Sequence, residues 1–581
     1  MSSITRHGKK KIRIEGSRRS ALDMARGRLV LISALFSLAY IVIAARVVDL
    51  SLIQGELANY RVAEAGAVQA PASVAKKNTR RADIVDRNGV LLATSLETAS
   101  LFADPKLILD PAGTSEALAK MFPDLTYGDL LRKLQGSGRF TWIKRNLTPH
   151  EQEEILALGE PGLAFKNEYK RIYPQGDMAP HIVGFTNVDG KGLGGVERSF
   201  NEYLTGGHDA PLRLTIDTRV QHILNRALSD AVSTYSGLGG AGVVMDVRNG
   251  EILAAASMPD FDPHAPRNQD VLFNRLTLGV YEMGSTFKIF STAAVLEYEN
   301  LPMAHEFDAR ESIQRGRFKI SDYHAEDRKL SIPEVFMVSS NIGSALMGEM
   351  VGTERLRNFY RDLGLLDPVA LEIGEIGRPL IPSPWRDINT LTASYGHGIA
   401  VSPLQMVAAT GSIVNGGILL KPTVILDQNA AEKSQNSTAL RIISPQTAHR
   451  MRQLLRLAVT DGTGKNADVE GYRVGGKTGT AEKSVNGKYD RSKRLSSFVG
   501  FFPMDAPRYA VFIMVDEPKG TKESFGYATG GWVAAPAVGR VVEAMGPLLG
   551  VKPAHIPKEH DLAAPLRRYV RDKEGKHLVS Y

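Results

Sequence analysis

The sequence predicts an α+β protein: an antiparallel sheet flanked by helices, set behind an elongated mixed α/β segment and one N-terminal transmembrane helix. Three observations carry this. Asn-Gly steps join two apolar runs at Asn88-Gly89 and again at Asn249-Gly250, the strongest short-range hairpin signal. In the C-terminal part, strands stand at both ends with helices between them, which favours an antiparallel sheet covered by helices. Leu29–Ala45 is a run of 17 residues without a charge, bounded by Arg28 and Arg46.

The apolar run sits at the short end of the range for a spanning helix, about 17–25 residues. Arg46 can snorkel, which extends the span to Val48. A cleaved signal peptide usually has an apolar region of about 7–15 residues. The nearest A-x-A triplet, Ala63-Glu64-Ala65, lies well beyond the run, so an uncleaved anchor is expected. Residues 1–28 hold nine Lys/Arg against two acids, which places them in the cytoplasm by the positive-inside rule. Of the net charge of +8, this tip supplies +7. The near-neutral body lacks the basic face of a nucleic-acid binder.

The body of this 581-residue chain is compositionally ordinary, at 43% hydrophobic and 23% charged, which excludes a wholly disordered or collagen-like protein. With no cysteine, disulfide frameworks, cysteine zinc sites, iron–sulfur clusters and cysteine nucleophiles are excluded. Residues 50–68 keep helical spacing, as a stalk, and 69–80 read as a polar linker. The hairpin at Asn88-Gly89 follows. Residues 100–210 mix short strands, helices and glycine-rich loops without a catalytic cluster. Near Leu212 a strand leads into a helix (RLTIDTRVQHILNRAL). Residues 242–247 and 251–257 flank the second hairpin turn, and 285–299 form a helix ending near Asn300. Tyr472–Glu482, Leu495–Phe502 and Arg508–Asp516 are strands. The last alternates Tyr509, Val511, Ile513 and Val515, the pattern of a sheet with one buried face. Trp532–Leu549 closes the domain as a helix, and 551–581 are expected to be a loosely held polar tail.

Ser285-Thr286-Phe287-Lys288 opens the 285–299 helix. Residues three apart share a helix face, so the Lys288 amine can reach the Ser285 hydroxyl. A serine attacks only when a base takes its proton. Lysine can be that base once burial or a neighbouring positive charge keeps its amine neutral. The motif alone is weak and recurs at Ser73–Lys76. Ser339-Ser340-Asn341 is an S-x-N triplet, a pattern that recurs at Ser199, Ser434 and Ser484. Lys477-Thr478-Gly479-Thr480 holds the chain's single K-[ST]-G, on a strand after Gly475-Gly476. The ordered set is far more specific than its parts, and it is the signature shared by penicillin-binding proteins and serine β-lactamases.

Beyond these motifs the chain resembles the class B penicillin-binding proteins, and among them the division-specific peptidoglycan transpeptidases. The resemblance runs from the basic tip through Gly539. YEMGSTFK is similar to the family's EPGS-x-x-K, with Met283 where proline is usual. RADIVDRNG resembles the opening of the family's pedestal, with Ala82 where glycine is common. RIYPQGDMAPHIVGFTN and GKGLGGVERSFNEYL resemble further pedestal motifs. LTIDTRVQ, GEILAAASMPDFDP, SYGHGIAVSPLQ and YATGGWVAAPAVG resemble stretches of the transpeptidase domain. It implies a cytoplasmic tail at 1–28, a transmembrane helix at 29–48, a pedestal at 49–211, a penicillin-binding-protein-like transpeptidase domain at 212–550 and a tail at 551–581.

The resemblance also implies roles. Ser285 attacks the carbonyl between the two terminal D-alanines of a stem peptide, and Lys288 takes its proton. Ser339 relays a proton to the leaving D-alanine, and Asn341 holds the substrate amide. Lys477, Thr478 and Thr480 recognise the terminal carboxylate, with Gly479 between them. The N–H groups of Ser285 and Thr480 form the oxyanion hole. Tyr395 and His397, in SYGHG, are candidates for the site wall. β-Lactams are implied as inhibitors that acylate Ser285. No cofactor is implied, and the 13 histidines show no H-x-x-x-H spacing for a metal. Asp322, His324, Glu326 and Asp327 read as a solvated loop, and Glu482 as a strand-edge charge. The implied partners are a SEDS-type glycosyltransferase (FtsW in division) and other divisome membrane proteins. The location implied is the inner membrane at the septum, with the catalytic domain periplasmic. An elongation-specific class B enzyme stays open as an alternative, as does a non-catalytic β-lactam sensor. A β-lactamase has no evident need of an anchor and a long pedestal.

Overall fold

The computed structural model describes residues 80–571 apart from 267–268, 317, 427–439, 486–487 and 556, and before them only residues 37, 38 and 41. The basic tail, the stalk, the linker up to residue 79, residues 572–581 and the expected transmembrane helix, apart from those three positions, lie outside the described residues. Among the described residues no helix is long and apolar enough to cross a membrane.

The chain enters through β1 (Ile84–Val85) and β2 (Leu91–Ala103), joined at Asn88-Gly89 as expected, with Gly89 at φ +89°. The Asp86 carboxylate accepts the Asn88 and Val90 N–H groups at 2.7 and 2.9 Å. It also accepts Thr218 N and Oγ1 at 3.1 and 3.0 Å, so the turn is bonded to the start of a helix 132 residues on. β3 (Thr141–Leu147) and β4 (Leu163–Ile172) both pair with β2, while β1 pairs in parallel with β5 (Leu212–Arg213). The helices α1 (Pro111–Met121), α2 (Tyr127–Leu134) and α3 (Pro149–Ala157) flank this sheet, and Leu101, Leu118, Phe122, Leu130 and Ile143 form a small separate core there. Glu197 is fully buried between two arginines, 2.6 Å from Arg81 Nη2 and 2.6 Å from Arg171 Nε of β4.

Asp217 caps α4 (Thr218–Thr234), the helix expected after the Leu212 strand. β6 (Gly239–Asp246) and β7 (Ile252–Met258) form the second hairpin, with Gly250 at φ +81°. Four helices follow that matter to the site: α5 (Lys288–Tyr298), α6 (Ile332–Val338), α7 (Asn341–Val351) and α8 (Pro403–Val414). After α9 (Pro445–Thr460) come β8 (Gly475–Val485), β9 (Lys488–Phe502) and β10 (Tyr509–Asp516), then α10 (Gly530–Leu548). The sheet order is β8-β9-β10-β6-β7, antiparallel throughout. Strands and helices therefore segregate as an α+β fold, as read from the sequence.

Two expectations are corrected. β10 does not have one buried face: all eight of its residues are buried. Val511, Ile513 and Val515 pack with α4 and α10, while Phe512 and Met514 pack on the opposite side with α5 and α8. The alternation records two different cores, because helices cover both faces of the sheet. Nor are residues 561–571 loose. Ala563, Leu566 and Val570 are buried at 0–2% exposure, and Arg456 holds Asp561 at 2.9 Å. Spaced apolar residues in an otherwise polar stretch join the main core, a burial that sequence pattern does not reveal.

Candidate active site

Ser285 does not lie on an α-helix. Gly284–Phe287 is a 3₁₀ turn that leads into α5 at Lys288. With three residues per turn, positions 285 and 288 are eclipsed, closer in alignment than on an α-helix. Gly284 adopts φ +54°, and a Cβ there would stand 2.5 Å from the Thr480 carbonyl. Glycine is therefore what lets the turn lie against β8. Met283, in place of proline, is 1% exposed in the main core, and its carbonyl accepts the Thr286 hydroxyl at 2.9 Å.

The structure brings Lys288, Ser339 and Lys477 together from α5, the end of α6 and β8. The Ser339 hydroxyl lies 3.1 Å from Lys288 Nζ and 2.8 Å from Lys477 Nζ. Lys288 Nζ also donates to the Ser339 carbonyl. Ser339 sits at φ +64°, ψ 46°, a left-handed conformation that costs a non-glycine residue energy and that the surrounding bonds hold. The expected Lys288–Ser285 contact is not made. The amine is turned to Ser339, and among the described residues the Ser285 hydroxyl has no hydrogen-bond partner. Catalytic hydrogen bonds often tighten only once substrate is bound.

Lys288 and Lys477 are 1% and 0% exposed. Burial, and then the charge of Lys477, holds Lys288 well below the usual lysine range, against a smaller opposing pull from Asp322. Burial brings Lys477 to about 7. Both amines are thus easier to keep neutral than that of an exposed lysine, and neutrality is what a general base requires.

Asn341 begins α7, whose N-terminus is capped by Ser340 Oγ accepting the Gly343 N–H at 2.9 Å. Its side-chain Nδ2 is held by the Ser321 carbonyl at 3.0 Å. Asp322 is the residue that sequence reasoning misplaced. Its carboxylate accepts the Ser340 hydroxyl at 2.7 Å, the Ile342 N–H at 3.0 Å and the Asn341 N–H. It caps the helix that carries the S-x-N motif, from a loop read as solvated. Asp is a capping residue type, but nothing in the sequence pairs it with a helix that starts 19 residues later.

Along β8, side chains alternate. Lys477 reaches Ser339, and Gly479 faces the Gly284–Phe287 turn. The Thr478 hydroxyl pairs with that of Thr463 at 2.8 Å, a partner the sequence did not suggest, and Thr480 Oγ1 accepts the Gly530 N–H at 3.1 Å. A Cβ at Gly479 would stand 2.7 Å from the Met283 carbonyl, and one at Gly396 would stand 2.1 Å from the Gly284 carbonyl. The SYGHG loop, the turn and β8 thus meet backbone to backbone.

Tyr395 and His397 do stand together, with ring centroids 5.0 Å apart, and His397 lies 5.4 Å from Tyr489 of β9. Burial and the Lys288 charge push His397 down to about 4, so it is neutral. Burial and Glu282 push Tyr395 up to about 12. Glu282 ties this corner: it accepts the Gly398 N–H at 3.0 Å and the Tyr489 hydroxyl at 3.1 Å, and its own burial raises its pKa. Glu482 lies 4.0 Å from Arg491 at the far part of the β8–β9 hairpin.

Residues 240–543 match the family described as penicillin binding protein transpeptidase domain, and residues 76–211 the penicillin-binding protein dimerisation domain. The chain is similar to the probable peptidoglycan D,D-transpeptidase FtsI of Caulobacter vibrioides, 40% identical over 81% of this chain and 82% of that protein. It is similar to stage V sporulation protein D of Bacillus subtilis, at 33% over 81% and 79%, and to the peptidoglycan D,D-transpeptidase FtsI of Escherichia coli, at 29% over 83% and 85%. The crystal structure of penicillin-binding protein 3 from Mycobacterium tuberculosis, complexed with aztreonam, shares the fold with a TM-score of 0.64 and 24% identity, over 82% of this chain and 97% of that one.

Proposed function

This chain belongs to the penicillin-binding proteins, and we propose that it is a class B peptidoglycan D,D-transpeptidase that cross-links stem peptides during septal wall synthesis and is acylated by β-lactams. The observation that carries the proposal is one hydroxyl, that of Ser339, held between two buried amines, one of them that of Lys288 in the Ser285–Lys288 motif.

Lys288, neutral, takes the Ser285 proton as Oγ attacks the carbonyl of the penultimate D-alanine. The new C–O bond forms a tetrahedral oxyanion, which the N–H groups of Ser285 and Thr480 stabilise. Such preorganised donors are usually the largest single source of rate. The C–N bond to the terminal D-alanine then breaks. Its nitrogen receives a proton through Ser339, whose hydroxyl touches both amines. Lys477, with Thr478 and Thr480, holds the terminal carboxylate, and Asn341 the substrate amide. An amine of a neighbouring stem peptide attacks the Ser285 ester, loses its proton to the same relay, and releases the serine. Each proton taken in the first half is returned, so no cofactor is required.

Labelling of the full chain with a fluorescent penicillin tests the acyl-transfer reading. Stable labelling of wild type and none of Ser285→Ala is expected. Cross-linking by Ser285→Ala refutes it, and many turnovers of nitrocefin favour a β-lactamase.

The membrane reading is part of the proposal: a cytoplasmic tail at 1–28, an inner-membrane anchor at 29–48, a pedestal at 49–211 and a periplasmic catalytic domain at 212–550. The charge-free run and the basic tip support it. A class B enzyme polymerises no glycan, so a SEDS-type glycosyltransferase such as FtsW, with other divisome membrane proteins, is the partner proposed. Small residues on the anchor (Ser33, Ala34, Ser37) permit close helix approach. A fluorescent fusion concentrated at mid-cell supports the division role; one spread along the side wall assigns the chain to elongation.

A further inference from the structure

The C-terminal segment lies beyond the matched transpeptidase region, yet its polar groups reach the elements that deliver Ser339 and Lys477. On one side, the Tyr569 carbonyl accepts the Ser331 hydroxyl at 2.6 Å, and the Arg571 N–H donates to Glu334 Oε1 at 2.8 Å. Ser331 and Glu334 form the capping box that starts α6. This seven-residue helix ends on Ser339, so a shift at its start is carried about two turns to the catalytic hydroxyl. On the other side, Arg456 of α9 donates from Nε to Asp561 at 2.9 Å and from Nη1 to the Val474 carbonyl at 2.7 Å, immediately before β8. Arg567 pairs with Asp461, at the end of α9, at 3.1 Å. α9 packs against both α6 and β8. The segment thus crosses from the back of the Lys477 strand to the start of the Ser339 helix, and Ala563, Leu566 and Val570 sink it into the main core.

We infer that Asp561–Arg571 is a positioning clamp for the acyl-transfer site: by pinning the start of α6 and the Arg456 hub behind β8, it sets where Ser339 stands between Lys288 and Lys477. The inference rests on the acyl-transfer reading of Ser285. The site depends on distances of 3.1 and 2.8 Å to amines on different elements. A displacement of about 1 Å in such a constellation can cost about a hundredfold in rate.

The test is stopped-flow acylation of the full chain, in detergent, by a fluorescent penicillin. It separates the binding constant of the drug from the rate of the acylation step, and the labelled fraction counts the folded sites. Arg571→Pro removes the N–H that Glu334 accepts. Val570 is already extended (φ −109°, ψ 132°), the conformation a residue before proline requires. Arg571→Ala keeps that N–H and is the control. The expected result is an acylation step slowed about ten- to a hundredfold in Arg571→Pro, with drug binding and labelled fraction unchanged, and Arg571→Ala near wild type. A merely structural contribution lowers the melting temperature and the labelled fraction and leaves the rate of the labelled molecules alone. That result overturns the inference. Where Arg571→Pro does not fold, Asp561→Asn, which loosens the Arg456 hub, decides by the same readings. Wild type that takes no label refutes the acyl-transfer reading, and the clamp falls with it, whereas labelled wild type with equally fast variants refutes the clamp alone.

Discussion

Gly479→Ala places one methyl group between β8 and the catalytic turn. Its Cβ would lie 2.3 Å from Ser497 Oγ, 2.7 Å from the Met283 carbonyl and 2.9 Å from Thr286 Cγ2. Ordinary contact begins near 3.4 Å, so the Met283 carbonyl must retreat by about 0.7 Å. That carbonyl is backbone, and it also holds the Thr286 hydroxyl, so Ser285 moves with it. Overpacking of a close-fitted interior costs about 1–3 kcal/mol. Misplacing a reacting atom by about 1 Å costs about a hundredfold, so acylation is expected to slow by some tens of fold. Second-order acylation by a fluorescent penicillin, with a thermal melt of the same sample, measures both effects. Gly162→Ala is the comparison: its Cβ would meet Ile108 at 2.5–2.8 Å, a similar overpacking, but beside the small separate core of the first sheet. It should lower the melting temperature and leave acylation unchanged. Adding Ser497→Ala to Gly479→Ala relieves one of the three contacts, and should restore stability more than rate. If Gly479→Ala acylates as fast as wild type, the close approach of turn and strand is not what aligns the nucleophile.

Further predictions concern the groups around it. Lys288 must be neutral to act, and burial and the Lys477 charge hold it well below its usual 10.5, so acylation should rise with pH and level off well short of that value. Lys477→Met removes a positive neighbour, lets Lys288 rise, and should move the acid limb of the pH–rate profile to higher pH; an unmoved limb argues against Lys288 as the base. Asp322→Ala removes the acceptor of the Asn341 and Ile342 N–H groups while the Ser340 cap stays, and should cost about 0.5–2 kcal/mol in urea unfolding, with slower acylation; unchanged stability would show that acceptor to be idle. Ser339→Gly and Ser339→Ala both lose the hydroxyl and should acylate equally slowly, but the glycine variant should be the more stable, because Ser339 is at φ +64°. Glu197→Ala leaves Arg81 and Arg171 buried without their shared partner and should cost about 3–5 kcal/mol by calorimetry.

Much of the arrangement was legible in the residues. The two Asn-Gly turns are where the sequence put them, because glycine at positive φ in a tight hairpin is a local requirement. Ser285, Ser339 and Lys477 could be picked out as an ordered set, since each motif is a run of three or four consecutive residues. Asp322 could not, because its role depends on a helix 19 residues away. Thr463, Glu282 and Tyr489 escaped notice for the same reason: each earns its place only by a partner from another part of the chain. The alternation of β10 was read correctly as a strand and wrongly as half-exposed, since period two shows that two faces differ, not that one of them is wet.

What the sequence determined by itself was local: turns, strand and helix identity, and the chemical types at Ser285, Lys288, Ser339 and Lys477. These follow from backbone sterics and from the side chains a proton relay needs. Only the tertiary structure decided the electrostatics and the spacing. Burial by the fold lowers both lysines from the usual lysine range, and the Lys288 amine is turned to Ser339 because α6 delivers a hydroxyl and a carbonyl to it. Burial and distance between segments far apart in the chain are properties of packing, and no pattern within a single segment carries them.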